Sequence, residues 1–364
     1  MRTTRLSPQP QTAVRRIPDH PEPGEVEPAM RRGTHRGGDE LFRPVPVPAL
    51  PPSTALADLA ITATDHAWLA GTTGVFTSRP STPLVLRWTG VDWTEETLPG
   101  LPSAASLAGI SATAPDDVWA VGNSAGRPLV LHYDGVGWHT VDTPAIPWAK
   151  AVTAIAPDDV HIVGAGSDTL HWDGLEWTRS STLTSSRETL HAITAAAPDD
   201  VWAGGGGLTG AGAATYEYPV LIHWDGTTWT DLHGPRPDHG HITGLAATAP
   251  DDLWLAHTHD TDGLHIHHYD GHRWQPVPAP ADHDRLSLHG VAPGWTWGVR
   301  AGRRSFETRP AYHRWTGQDW ARVPLPDDLT RASASHVGLA TNGTTTWAYL
   351  KTAAGVHVLR HTAP

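Results

Sequence analysis

The chain writes one pattern seven times, in variants of APDDVWAVG, a variable stretch, then LVLHWDGxxW-x-x-V-P-x-P, with a period of about 40 to 50 residues. A repeat of that length confines the fold to an array, a solenoid or a propeller, because one unit is too small to bury its own apolar face and must stack on copies of itself. The repeat also sorts the residues. Those that recur build the framework; those that occur once are where function can be sought.

Three aromatic slots recur. The first holds Trp68, Trp119, Trp202, Trp254, Trp297 and Trp347, with His161 standing in once. The second, before an Asp-Gly or its equivalent, holds Trp88, Tyr133, Trp172, Trp224, Tyr269 and Trp315, with His361 at the end. The third holds Trp93, Trp138, Trp177, Trp229, Trp274 and Trp320. The runs around them are short, rich in Val, Leu, Trp and Tyr, and bounded by turn residues, so they read as strands. Asp134-Gly135, Asp173-Gly174, Asp225-Gly226 and Asp270-Gly271 predict hairpins with primed turns. The four APDD segments predict another tight turn. Each repeat then holds four strands, which is a propeller blade.

The third slot is filled only six times, because the chain stops after the third strand of the last repeat. Phe42-Arg43-Pro44-Val45-Pro46-Val47-Pro48 matches Trp320-Ala321-Arg322-Val323-Pro324-Leu325-Pro326. The expected architecture is therefore an all-β, seven-bladed β-propeller over residues 41–364, with residues 41–48 completing the last blade and closing the ring. Residues 1–40, rich in Pro and Arg and without periodicity, are expected to be a disordered tail.

The APDDVWAVG and LxHWDGxxW motifs resemble the repeats of actinobacterial β-propeller proteins of unknown function, grouped with kelch and galactose-oxidase-like propellers. The resemblance covers residues 41–364 and implies the fold without implying an activity. The chain lacks the regular diglycine of kelch blades and the Gly-His partner of WD repeats.

Composition narrows the function classes. Lys plus Arg total 26 against 38 Asp plus Glu, a net charge of −12, which argues against nucleic acid as a partner. No apolar run is long enough to span a membrane, and the N-terminus lacks the apolar region of a signal peptide, so a cytoplasmic protein is expected. Cysteine is absent, which removes thiol chemistry. The sequence leaves the oligomeric state open.

If inner strands start at one face, the top, then the short similar turns lie below and the long variable loops above, where ligand sites on rigid frameworks usually sit. The 24 histidines divide accordingly. His132, His171, His223 and His268 share one slot, filled elsewhere by Arg87, Arg314 and Arg360, and read as framework. His191, His289 and His336 sit near the starts of inner strands, with His241 close by; such imidazoles could converge at the channel mouth and hold one transition-metal ion (Zn, Fe, Cu or Ni). A second patch in repeat five carries His233, His239, His257, His259, Asp260 and Asp262. The loop VRAGRRSFETRP offers Arg300, Arg303, Arg304 and Arg309 to an anionic ligand. Lys150 lies near the expected channel. Trp148 and Trp295 stand outside the recurring slots and are candidates for ligand contact.

The leading functional reading is a binding module presenting a small-molecule or peptide site on the top face. The alternative is a metal-dependent enzyme with histidine ligands over the channel, acting on an anionic small molecule or peptide. A third reading is a protein-interaction scaffold whose tail engages the partner.

Overall fold

The computed structural model describes residues 42–362 except 64, 99, 102–103, 167, 182–186, 211–214, 233, 236–238, 260–262, 281–288, 293 and 303–304, and gives only the backbone at 63, 181, 289–291, 298–302 and 305–308. Contacts divide the chain into Met1–Gly37 and Gly38–Pro364, and every described residue belongs to the second unit. The expected tail, His233, Asp260, Asp262, Arg303 and Arg304 thus lie outside the described residues.

The strands form five four-stranded sheets and one eight-stranded sheet, all antiparallel. Repeat one shows the plan: Ala55–Ala63, His66–Thr73, Thr82–Trp88 and Trp93–Glu95 pair in chain order from the innermost outwards. Inner strands from every repeat line one cavity of about 760 Å³, from Asp58 through Lys150, His191 and Thr243 to Ala292 and Leu339. Sheets set around a common channel in this way make an all-β propeller.

One departure from the expected plan stands out. Repeats three and four do not form separate four-stranded sheets. They join into the eight-stranded one through a single bridge, Ala165↔Thr189, where the Gly166 N–H donates to the Glu188 carbonyl at 2.9 Å. At the other end, Arg43–Val45 pairs with the last strand, Gly355–Thr362, in the register Arg43↔Arg360, Pro44↔Leu359 and Val45↔Val358.

The motif DD-x-W…H-W-D-G has a structural meaning. The second Asp of each APDD turn accepts a hydrogen bond from the slot histidine: Asp117 from His132 at 2.6 Å, Asp200 from His223 at 2.7 Å, Asp252 from His268 at 2.7 Å. In repeats four and five the same carboxylate also accepts from the tryptophan two residues on, Asp200 from Trp202 at 2.7 Å and Asp252 from Trp254 at 3.0 Å. The slot histidines of these repeats are thereby partnered, and in repeats four and five the tryptophans as well. Repeats one and seven have no acid two residues before the tryptophan, and there Arg replaces His. Arg87 lies over the Trp68 ring at 5.1 Å and Arg360 over Trp347 at 5.4 Å, so a cation–π contact substitutes for the acid–imidazole pair.

The Asp-Gly hairpins form, with the glycine at a positive φ (Gly135 at 87°, for example), and the Asp134 carboxylate accepts from the Val136 and Gly137 N–H groups, both at 2.9 Å. An aspartate that caps its own turn does not need the left-handed conformation. The glycine is needed for a second reason: a Cβ on Gly135 would sit 2.8 Å from the Asp116 Cβ of the APDD turn packed against it.

Aromatic packing carries each repeat onto the next. Trp68 meets Tyr133 and Trp138, Trp119 meets Trp172 and Trp177, Trp202 meets Tyr269 and Trp274, and Trp254 meets Trp315 and Trp320. Centroid separations of 5.0 to 6.3 Å and inclined planes are the favoured geometry for such pairs. At the end of the chain Trp295 meets Phe42 and His361, and Trp347 returns to Trp88 and Trp93 of repeat one.

That ladder corrects one assignment. Trp295, expected to stand outside the slots, pairs with Arg314 across its sheet as Trp68 pairs with Arg87, and is buried. The slot residue of repeat six is Trp295, and Trp297 is the one left over. A shift of two residues keeps a strand residue on the same face, so the two cannot be told apart by pattern.

Candidate functional site

A second cavity, about 380 Å³, adjoins the channel and is lined by Leu56, Ala57, Asp58, His191, His241, Thr243, Trp297, Ser335, His336, Val337, Gly338, Leu339 and Tyr349. It shares Ala57, Asp58, His191, Thr243, Trp297 and Leu339 with the larger cavity, so it is the channel's mouth. Three of the four expected channel histidines meet here. The side chain of the fourth, His289, lies outside the described residues; its backbone starts the strand His289–Ala292.

His191 and His241 have ring centroids 5.7 Å apart, and His241 Nδ1 lies 2.9 Å from Glu217 Oε2. The channel walls push the His191 pKa below its usual value, with His241 and Lys150 adding to the effect. His336 is likewise pushed down by burial and then by Lys351, and its Nδ1 lies 3.0 Å from Ser335 Oγ. The His191 and His336 rings are therefore neutral at neutral pH, each able to donate one hydrogen bond and accept another.

Opposite them sits a carboxylate that the repeat did not reveal. Asp58 follows a bulge between Leu56 and Asp58, which aims its side chain along the channel wall. It accepts from the Leu59 N–H at 2.8 Å and, across the seam to repeat two, from the Ile110 N–H at 3.0 Å. Burial raises its pKa to about 6 against the pull of those two bonds. Tyr349 is held beside it, donating to the Ala57 carbonyl at 2.7 Å while its own carbonyl accepts from Tyr312 at 2.7 Å. Trp297, half-buried, supplies the aromatic wall.

The remaining candidates are dispersed. Trp148 opens the inner strand Trp148–Ala156 and is 49% exposed, but it does not line the mouth. Arg300 and Arg309 face each other across a strand pair; Arg309 is exposed, and the Arg300 side chain lies outside the described residues. Lys150 lines the channel.

Among the described residues, the donors that come closest together as a set of three are Asp159, His161 and His171. His171 Nε2 lies 2.9 Å from Asp159 Oδ1, and His161 Nε2 lies 3.2 Å from the same oxygen but off the line of a hydrogen bond. Burial alone would raise Asp159, yet the two imidazoles outweigh it and hold the carboxyl at about 2. The His rings stack at 4.2 Å with planes 11° apart, as Trp119 stacks on His132 at 4.1 Å. In-plane lone pairs of parallel rings do not meet at one ion. This triad is the recurring Asp–Trp–His brace with histidine in the tryptophan slot.

Sequence reasoning missed Asp58, Glu217, Trp297 and Tyr349 at the mouth, and His265 and His267 in repeat five. For the last two a signal was present: HTH and HIH flank one short loop, and a hairpin would bring them face to face.

No protein-family model matches the chain, and no curated protein matches it. Solved structures do. YCF48 from Cyanidioschyzon merolae superposes with a TM-score of 0.58 at 15% identity, over 88% of this chain and 99% of that one. YCF48 bound to D1 peptide gives 0.58 at 14% identity, over 89% and 97%. Selenomethionine-substituted virginiamycin B lyase from Staphylococcus aureus gives 0.57 at 13%, over 86% and 96%. At such identities the likeness is one of fold, and it is to β-propellers. Among the described residues no helix is long and apolar enough to cross a membrane.

Proposed function

We propose that the chain is a seven-bladed propeller, closed into a ring by the strand Arg43–Val45, which binds a small molecule or short peptide at the mouth of its channel. The blade count is supported by inner strands of every repeat lining one channel and by the aromatic ladder that returns from Trp347 to Trp88. The eight-stranded sheet divides into two blades at its single bridge, Ala165↔Thr189. Closure is supported by Phe42, which takes the third-slot position of the last blade.

The observation that carries the binding reading is the mouth itself. Its 380 Å³ falls within the range of small-ligand pockets. One wall is aromatic and aliphatic, and the rim offers neutral imidazoles that read donors and acceptors alike. Such a site takes a ligand with a flat or aliphatic part against Trp297 and a polar edge towards His191 and His336. A peptide meets that description, and YCF48, a neighbour in fold, has been solved with one.

The test is a ligand-observed NMR screen of fragments and of tri- and tetrapeptides. Hits should compete with one another, vanish in Trp297→Ala and survive in Trp148→Ala. Hits indifferent to Trp297→Ala, or none at all, would remove the reading.

A further inference from the structure

We propose that His257, His259 and His265 form a binding site for one divalent transition-metal ion of the zinc class, in the hairpin of repeat five. The inference stands on the hairpin's own geometry and does not rest on the channel reading.

The strands Asp252–His259 and Gly263–Tyr269 pair antiparallel with His257 directly opposite His265. His259 lies two residues beyond His257, so strand alternation puts all three on one face of the sheet. Their rings make a nearly equilateral triangle, with centroids 5.9, 6.2 and 6.4 Å apart. The planes are inclined to one another by 44°, 50° and 86°, so lone pairs can be aimed inwards, unlike those of the stacked pair in repeat three. Zn–N bonds of about 2.0 to 2.1 Å place the centroids of three tetrahedrally bound imidazoles about 5 to 5.5 Å apart. The observed triangle is larger by roughly 0.4 to 1.4 Å, a gap that turning the two half-buried rings, His259 and His265, would close.

The second observation is the burial of His257. It is fully enclosed, and neither ring nitrogen has a hydrogen-bond partner among the described residues; His265 Nε2 is buried and unpartnered as well. Buried polar atoms left in that condition call for an explanation, and a bound ion is one. Imidazole donors suit zinc, cobalt, nickel and copper rather than calcium or magnesium. His239, whose ring lies 5.9 Å from that of His259, is placed to supply a fourth ligand in competition with water.

The test is titration of the full-length, tag-free protein with Zn²⁺ by calorimetry and with Co²⁺ by visible absorption, which reports tetrahedral coordination. One equivalent should bind, weakened more than about 100-fold by His259→Ala and by His265→Ala. Both side chains are partly exposed, so these variants test the site even if His257→Ala fails to fold. Binding should persist in His161→Trp, which abolishes the Asp159 cluster, and in His191→Ala at the channel mouth. No binding to the wild type, binding unchanged in both His259→Ala and His265→Ala, or loss only in His161→Trp or His191→Ala would overturn the proposal.

Discussion

Phe42 packs its ring 5.7 Å from that of His361, at the far end of the chain, in the relation that Trp93 bears to Trp88 at 5.9 Å and Trp138 to Tyr133 at 5.6 Å within single repeats. Phe42 is fully buried, and it also touches Trp295 and Tyr312. The last sheet therefore takes its outer strand from the beginning of the chain.

Replacing Phe42 with alanine should cost about 3 to 5 kcal/mol, the usual range for a buried phenylalanine. Removing residues 1–48 should lower the Tm far more than removing residues 1–38. Thermal unfolding of the two truncated chains decides it, and equal Tm values would count against closure by this strand.

His161 occupies a tryptophan slot without the tryptophan's hydrogen bond. His161→Trp should let the indole N–H donate to Asp159 as Trp202 donates to Asp200, raising stability by about 1 kcal/mol. His161→Ala should instead be destabilising. Denaturant unfolding of the pair is the check, and the reading fails if the tryptophan variant is as weak as the alanine one.

Asp58 makes stability depend on pH in an unusual direction for an acid. Its folded pKa is raised from 3.8 to about 6, so the folded state holds the proton more tightly than the unfolded state. Its contribution is fully present below about pH 4 and is lost as pH rises through about 6. In Asp58→Asn that loss should disappear, so the Tm difference from wild type should shift in the variant's favour between pH 4 and 7. Parallel Tm curves for the two proteins would contradict this.

His257 acts in the opposite sense. Its folded pKa lies at about 3, below the ordinary histidine value of 6.5, so its contribution is full above pH 6.5 and drains away as pH falls towards 3. By pH 5 the loss amounts to about 2 kcal/mol at about 1.4 kcal/mol per pH unit. His257→Phe should blunt the acid side of the stability curve; an unchanged acid limb would show that other groups govern it.

Much of the fold was legible because it repeats. The Asp-His and Asp-Trp bonds, the Asp-Gly turns and the aromatic ladder each demand the same residue at the same place in several units, and single exceptions such as His161 stand out against them. What stayed hidden depends on a strand's phase. Trp295 and Trp297 share a face, so only the pairing with Arg314 and Tyr312 assigns one to the slot and the other to the channel. Asp58 reaches the channel by a bulge, which local sequence does not announce. The union of the sheets of repeats three and four hangs on one bridge at Ala165 and was not foreseeable from either repeat alone. Three histidines at the mouth could be anticipated because inner-strand starts converge, whereas Glu217 and Tyr349 arrive from strands further out.

The binding reading can be put to one direct trial: a crystal structure of the protein soaked with the strongest hit from the fragment and peptide screen. Density between Trp297, His191 and His336, with a polar group of the ligand towards the imidazoles, is the expected result. Density on the outer face of a sheet, with the mouth filled only by water, would contradict it.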